Sequence, residues 1–169
     1  MSTPARGPAV TARRVAGAGA LVAAAFVQAP GRIVPDTKLD LVVDPIAFLA
    51  RAWTLWEPTG QFGQTQNQAY GYFIPMGPFF AVGHLLDVPE WIVQRTWWSV
   101  LLLVAYTGVL VLADRLRIGT PGTRILAALA FALSPRAVTE LGSISVELWP
   151  TAVSPWVLVP LVGARAGSE

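Results

Sequence analysis

A continuous apolar stretch at residues 91–113, WIVQRTWWSVLLLVAYTGVLVLA, constrains the fold of this chain more than any other feature. A helix needs about 20 mostly apolar residues to cross a bilayer, and this stretch is long enough. Trp91, Trp97 and Trp98 lie toward its first end, as aromatic residues do at a membrane interface, and charged residues follow its last. The stretch therefore predicts a membrane-spanning helix.

The composition agrees with an integral membrane protein. The chain is 54% hydrophobic and 13% charged, whereas a soluble domain carries about 25% charged residues. The net charge of +2 comes without a basic cluster, which argues against a nucleic-acid partner. Cysteine is absent and histidine occurs once, so no disulfide framework, thiolate metal site or histidine-based zinc site is expected.

The N-terminal region predicts a first membrane helix over residues 13–30. An apolar run at 15–30 follows Arg13 and Arg14, which place the N-terminus in the cytoplasm by the positive-inside rule. A secretory signal peptide is the alternative, since its basic start and apolar middle look the same. Pro30 would directly follow the cleavage site, which favours an uncleaved helix.

The rest of the chain divides into an outer loop, residues 31–90, and further membrane helices, residues 91–165, in which residues 136–148 are expected to be a mixed polar outer connection and residues 149–164 the last crossing. Within the loop, residues 72–88 are apolar but short and broken by proline and glycine. If they crossed the membrane, the arginines after residue 113 would face outward, against the positive-inside rule. We therefore expect a surface or re-entrant helix there, an all-α polytopic fold with about four crossings, and a multi-pass plasma-membrane protein whose long first loop faces outward.

Three aspartates open the outer loop. Asp36, Asp40 and Asp44 recur at four-residue intervals in PDTKLDLVVDP, directly after the first membrane helix. Carboxylates are costly near hydrocarbon, so their position needs a reason. Asp44 and Pro45 fit the N-cap and first position of an amphipathic surface helix over residues 45–56, with Trp53 and Trp56 on its apolar stripe.

Two explanations of these charged groups are open. Asp36 and Asp40 are either loop charges paired with Lys38 or Arg32, or part of a site for group transfer in which one carboxylate removes the proton from a sugar hydroxyl. In the second case a cation holds a lipid phosphate. The candidate substrate-binding residues are four cations (Lys38, Arg51, Arg95 and Arg136), four residues of an amide- and aromatic-rich run (Gln66, Asn67, Gln68 and Tyr70), and Glu147, which otherwise complements a helix dipole.

The order of these features resembles the GT-C class of glycosyltransferases. The segment DPIAFLARA, residues 44–52, is similar to the aspartate–proline segment in the first loop of oligosaccharyltransferase catalytic subunits. The closer resemblance is to the actinobacterial alpha-(1→3)-arabinofuranosyltransferases of cell-wall arabinan synthesis. It is carried by DTKLDLVVDPIAFLARAWTLWEP, FGQTQNQAYGYFIPMGPFFAVGHL, VQRTWW and ALSPRAVTELGSISVELWP, between residues 36 and 150.

The resemblance implies a partial GT-C fold, with residues 1–169 as the N-terminal membrane region of a larger enzyme. It implies inverting transfer of arabinofuranose from decaprenyl-phosphoryl arabinofuranose to an arabinan of arabinogalactan or lipoarabinomannan. A first-loop aspartate would be the base, and we carry this role to Asp44 first and to Asp36 or Asp40 second. The run from Gln66 to Tyr72 would face the sugar.

Members of that family are several times longer, so we expect this chain to be inactive alone and to need the C-terminal part, in the same polypeptide or as a separate chain. The alternative is a non-catalytic membrane subunit that binds prenyl lipid or a partner membrane protein. A small transporter is disfavoured, because residues 15–30 and 101–113 contain almost no polar groups. The sequence alone names no certain cofactor and leaves a divalent metal open.

Overall fold

The computed structural model describes residues 7–36, 38–57, 62–65 and 69–165, and nearly all of their regular structure is helical. Three helices are long and apolar enough to cross a membrane, and a pair of shorter helices bent by 41° forms a candidate fourth crossing. The prediction of about four crossings is thus confirmed. The helices are α1 (Pro8–Val27), α2 (Leu39–Val43), α3 (Pro45–Ala52), α4 (Met76–Leu85), α5 (Glu90–Leu116), α6 (Pro121–Ala132), α7 (Pro135–Ser143) and α8 (Ser145–Arg165).

Helix α5 is the centre of the fold. It packs against α8, α6 and α1, and its buried side chains, such as Leu101 and Leu102, form the middle of the core. The helix follows Pro89 and ends at Arg117, whose φ of 55° lies in the left-handed region that commonly terminates helices. The buried side chains of α5 lie on more than one side of the helix, so its sequence shows a continuous apolar run rather than an amphipathic stripe.

Two glycines allow the helices around α5 to approach closely. A Cβ at Gly17 of α1 would lie 2.6 Å from the Tyr106 hydroxyl of α5, and one at Gly108 of α5 would lie 2.7 Å from Nε1 of Trp156 in α8. Small residues let membrane helices pack in this way. The Trp156 indole also donates a hydrogen bond to the Val104 carbonyl at 2.9 Å, which joins α8 to α5.

Helix α8 begins earlier than the sequence indicated. Residues 136–148 were expected to be a polar connection, with the last crossing starting at residue 149. Instead α7 and α8 meet near Ile144, and α8 continues through its three internal prolines. Ser134, just before this segment, accepts a hydrogen bond from Ala137 N at 3.4 Å and is the N-cap of α7.

The first loop, residues 28–89, carries short elements. Besides α2, α3 and α4 it contains a two-residue antiparallel pair, β1 (Trp56–Glu57) with β2 (Gln64–Thr65), and one 3₁₀ turn, Ala69–Tyr72. Helix α4 has 10 residues and a length of about 15 Å, too short to cross a bilayer. The expectation of a non-crossing helix in this region therefore agrees with the structure.

The surface helix predicted over residues 45–56 ends at Ala52, so its C-terminal part was wrong. The hydroxyl of Thr54 donates to the carbonyls of Arg51 and Trp56 at 2.9 and 3.0 Å, which turns the chain into β1. Threonine hydroxyls compete with helical hydrogen bonding in this way. Trp53 and Trp56 consequently leave the apolar stripe and are 78% and 53% exposed.

Candidate functional site

The start of the first loop is held across the beginning of α5. The side-chain amide of Gln94 accepts from Val34 N at 2.9 Å and donates to the Val34 carbonyl at 2.7 Å. Next to it, Nη2 of Arg95 donates to the Arg32 carbonyl at 3.3 Å. These bonds give the loop the backbone partners that a neighbouring strand would otherwise supply. Residues 32–36 are thereby fixed at the Glu90 end of α5.

Asp36 is buried at the end of this fixed segment. Its carboxylate accepts two hydrogen bonds from Ser145, the first residue of α8: one from the backbone N–H at 2.6 Å and one from the hydroxyl at 2.5 Å. Nε1 of Trp97 in α5 donates to the same Ser145 hydroxyl at 2.9 Å. Asp36 has a φ of 45°, a left-handed conformation that aspartate tolerates better than most residues. Ser145 thus joins the loop, through Asp36, to α5, through Trp97.

The environment of Asp36 changes its proton affinity. Burial raises the pKa of the Asp36 carboxyl above its ordinary value, because the ionised form loses water, and the two Ser145 hydrogen bonds offset part of this rise. Among the described residues, Asp36 makes no ion pair. Asp36 therefore does not form the pairing with Lys38 or Arg32 that was one of the two explanations, as far as the described residues show.

Asp40 and Asp44 lie on the surface and have different partners. Asp40 pairs with Nη2 of Arg51 at 2.9 Å, and both side chains are nearly half exposed. Asp44 accepts from Ala47 N at 3.0 Å and is the N-cap of α3, with Pro45 at the first position, as predicted. The four-residue spacing thus gives three separate roles: Asp36 joins helices, Asp40 is half of an ion pair and Asp44 caps a helix.

The candidate cations are dispersed. Arg136 forms an ion pair with Glu140 at 2.7 Å and is 69% exposed, and Lys38 is partly buried. Arg95 is 1% exposed, and its guanidinium carbon lies 4.0 Å from the centre of the Trp98 ring. Its Nε and Nη1 atoms, like Nε1 of Trp98, have no hydrogen-bond partner within the part of the chain that the structure describes. Arg95 is therefore a buried cation rather than a surface contact to lipid headgroups.

The predicted sugar-facing run is described only in part. Gln66, Asn67 and Gln68 lie outside the described residues. Tyr70 is 39% exposed and lies 5.8 Å from the Phe73 ring, which in turn lies 5.1 Å from the Trp53 ring. These three rings form a partly exposed aromatic cluster next to α3. Glu147 lies in the first turn of α8, the position in which a carboxylate complements the helix dipole.

Among the described residues no group of three or more histidine, cysteine or acidic residues is placed to hold a metal ion. A cavity of about 60 Å³ lies between α1, α5 and α7, and one of about 10 Å³ adjoins α4. Both are far below the 300 Å³ or so of a typical ligand pocket. Neither can enclose a lipid-linked sugar.

Comparisons with known proteins identify the family of this chain. Residues 20–169 match the family described as alpha-(1→3)-arabinofuranosyltransferase, N-terminal GT-C domain. This chain belongs to that family. It is 54% identical over 155 residues to the alpha-(1→3)-arabinofuranosyltransferase of Mycobacterium tuberculosis, and 52% identical over 152 residues to that of Mycolicibacterium smegmatis.

The fold of this GT-C family member also agrees with solved structures. It is similar to the cryo-EM structure of the mycobacterial arabinofuranosyltransferase AftD, with a TM-score of 0.85 and 50% identity over 90% of this chain. A single-substitution mutant of that protein gives a TM-score of 0.84 with 51% identity over 89% of this chain. The alignments with the two sequence relatives cover 92% and 90% of this chain. The chain spans only 11% of the length of those relatives and 12% of the solved chains.

Sequence reasoning missed the two residues that hold Asp36. Ser145 was treated as part of a polar connection, and Trp97 only as an aromatic residue at a membrane interface. Trp97 carried a signal of its own, because a buried indole N–H needs an acceptor. Ser145 lies 109 residues from Asp36, and no local pattern links positions so far apart.

Proposed function

We propose that this chain forms the beginning of a glycosyltransferase site that transfers arabinofuranose from a polyprenyl phosphate to a polysaccharide acceptor. The family membership supports the reaction class, and the names of the relatives support the arabinofuranosyl group and the alpha-(1→3) linkage. Decaprenyl-phosphoryl arabinofuranose as donor, and an arabinan as acceptor, come from the resemblance of the sequence motifs. The reaction takes place at the outer face of the plasma membrane.

Asp36 is the leading candidate for the general base. The observation that carries this choice is that Asp36, unlike Asp40, is buried without a cationic partner in the described chain, and its pKa is raised. A general base works best when its pKa approaches the working pH, and perturbed carboxyls of this kind are typical of functional sites. This ranking differs from the first expectation, because Asp44 already caps α3.

In the proposed reaction the acceptor hydroxyl attacks C1 of the donor arabinofuranose, and Asp36 takes the hydroxyl proton. The new C1–O bond forms as the bond from C1 to the phosphate oxygen breaks. The polyprenyl phosphate leaves with the electron pair, and the configuration at C1 inverts. Since Asp36 is 1% exposed, an acceptor hydroxyl reaches the carboxylate only after a local rearrangement around it.

The test uses a full-length chimera in which this chain replaces the matching 11% of the Mycolicibacterium smegmatis relative. In membranes carrying the chimera, transfer of labelled arabinose from a prenyl-phosphoryl donor is measured. Asp36→Asn is expected to lower the rate about 10²- to 10⁴-fold, since it removes the base, whereas Asp40→Asn and Asp44→Asn keep most of it. An inactive Asp44→Asn beside an active Asp36→Asn would move the base to Asp44.

We propose Arg95 as the group that holds the donor phosphate. Its Nε and Nη1 atoms, which have no hydrogen-bond partner among the described residues, are donors that suit a phosphate. A buried cation without a partner is unfavourable for folding. Arg95→Gln in the chimera should therefore raise the KM for the donor and leave the unfolding midpoint unchanged or higher. A lower midpoint with normal transfer would assign Arg95 a purely structural role.

The orientation of the first loop has its own test. The chain has no cysteine, so Lys38→Cys, built into a cysteine-free form of the chimera, introduces a single thiol. An impermeant maleimide added to intact cells should label it. Labelling only after the cytoplasmic side is opened would contradict an outer site.

A non-catalytic role is the second candidate. It fits the two small cavities of about 60 and 10 Å³ lined by described residues, neither of which is large enough for a donor. It predicts that the chimera transfers arabinose normally when Asp36, Asp40 and Asp44 are all replaced by asparagine. Normal transfer by that triple variant would support the second candidate against the first.

A further inference from the structure

The hydrogen bonds around Asp36 form a chain with a defined direction. The Trp97 indole has one donor and no acceptor, so it donates to the Ser145 oxygen, 2.9 Å away. The Ser145 hydroxyl has a single proton and a second polar neighbour, Oδ2 of Asp36 at 2.5 Å. With Asp36 ionised, the serine proton therefore points at the carboxylate. The order is Trp97 N–H to Ser145 O–H to Asp36.

We propose that Ser145, oriented by Trp97, is a positioning residue that fixes the direction of the Asp36 carboxylate and favours its ionised form. This rests on the proposed role of Asp36 as the base. Ser145 holds both carboxylate oxygens, one through its backbone and one through its hydroxyl, so the carboxylate cannot rotate without breaking a bond. Nothing in the sequence motifs assigns a role to this serine.

The position of Ser145 at the start of α8 adds to the effect. The first N–H groups of a helix have no partner within the helix, and they carry a partial positive charge. Asp36 supplies the missing acceptor from 109 residues away. Burial opposes ionisation and is the larger influence on the Asp36 pKa, while both Ser145 bonds lower this pKa. The two influences thus act in opposite directions on the same carboxyl.

Neighbouring charges contribute no ion pair. The loop, α2, α5 and α8 carry charged groups close in sequence to this network, but none of them forms a salt bridge with Asp36 among the described residues. The control of the carboxylate therefore passes through neutral donors. The charged groups are Arg32, Lys38, Asp40, Glu90, Arg95 and Glu147.

The test measures the ionisation of Asp36 directly in the chimera. The infrared band of the protonated Asp36 carboxyl, assigned by its loss in Asp36→Asn, is titrated with pH. Ser145→Ala keeps the backbone bond and removes the hydroxyl, so the pH at which the band disappears should rise by about one unit. The acid limb of the pH–rate profile should rise with it. Ser145→Thr, which restores a hydroxyl, should return both values toward those of the wild type.

Two further variants separate positioning from folding. Trp97→Phe keeps the aromatic contacts with Phe79 and Trp149 but removes the N–H, so a smaller shift in the same direction is expected. Ser99→Ala is the matched control, because the buried Ser99 hydroxyl bonds only to the Arg95 carbonyl of its own helix, at 2.8 Å. It should leave the titration unchanged. Unfolding midpoints report whether each variant is folded.

The outcomes distinguish this inference from the proposed function. An unshifted Asp36 titration in a folded Ser145→Ala variant overturns the positioning role, even if Asp36→Asn is inactive. A shifted titration combined with full activity of Asp36→Asn supports the hydrogen-bond chain and overturns Asp36 as the base.

Discussion

The two ends of α5 each bring an aspartate into contact with another helix, but their surroundings differ. At the Leu116 end, Asp114 accepts from both terminal nitrogens of Arg14 in α1 at 2.8 and 2.9 Å, and from Arg124 in α6 at 2.7 Å. At the Glu90 end, Asp36 is held by the N–H and hydroxyl of Ser145. The first aspartate has two cations, whereas the second has only neutral donors among the described residues.

This difference indicates that Asp114 has a structural role, whereas Asp36 is a candidate proton acceptor. The forked arginine contacts fix α1 and the start of α6 to α5, and their geometry is the one in which guanidinium–carboxylate pairs are strongest. Neutral donors also fix Asp36, yet they leave burial as the main influence on its pKa. Hence the Leu116 end of α5 holds helices together through ion pairs. The Glu90 end holds a carboxyl whose pKa is set mainly by burial.

The largest effect on stability is expected at the Leu116 end. Asp114→Asn leaves Arg14 and Arg124 without their counter-charge, although their side chains are only 14% and 18% exposed. Breaking a mostly buried ion pair should cost about 2–4 kcal/mol, since the arginines lose compensation for their desolvation. The unfolding midpoint of the chain in detergent measures this loss. Arg115→Gln, an exposed change at the same end, serves as control, and equal midpoints for the two variants would remove the structural role of Asp114.

The intermediate effect is a pH dependence at the Glu90 end. The folded state raises the pKa of Asp36, so the unfolded state ionises first as pH increases. Stability should fall from about pH 4, where an ordinary aspartate titrates, up through the raised pKa, and then level off. Asp36→Asn should lack this fall. Asp87→Asn, a change at an exposed aspartate, is the control and should keep the fall in stability. If the stability of Asp36→Asn fell with pH as steeply as that of the wild type, the prediction would be contradicted.

The sequence sufficed for features that depend on neighbouring residues. Asp44 and Pro45 were correctly predicted to start a helix, because an N-cap acts within three residues. The crossing at residues 91–113 followed from its apolar length. The helix end at Ala52 was missed, because it depends on the hydrogen bonds of Thr54 and of the β1–β2 pair. An apolar stripe in the sequence does not predict those hydrogen bonds.

The candidate site itself could be predicted only in part. Asp36 was recognised as a candidate, but its burial depends on Ser145 and Trp97, which the fold brings to it from α8 and α5. The arginines near residues 14 and 124 were interpreted as markers of the cytoplasmic side, although they also pair with Asp114. Long-range partners of this kind are set by helix packing, and a single sequence carries no local signal of them.

The smallest effect is expected for the exposed pair of Asp40 and Arg51, which sharpens the contrast with Asp114. Their side chains are 49% and 43% exposed, and such pairs contribute about 0.5 kcal/mol or less because water screens them. Since Arg51 has further contacts, a double-mutant cycle with Asp40→Asn and Arg51→Gln isolates the pair. At about 1 M salt, where screening acts within about 3 Å, its coupling should vanish. The coupling of Asp114 with Arg14, measured in the same way, should persist, because that pair is largely shielded from solvent. If salt removed both couplings equally, burial would not be what distinguishes the two kinds of ion pair.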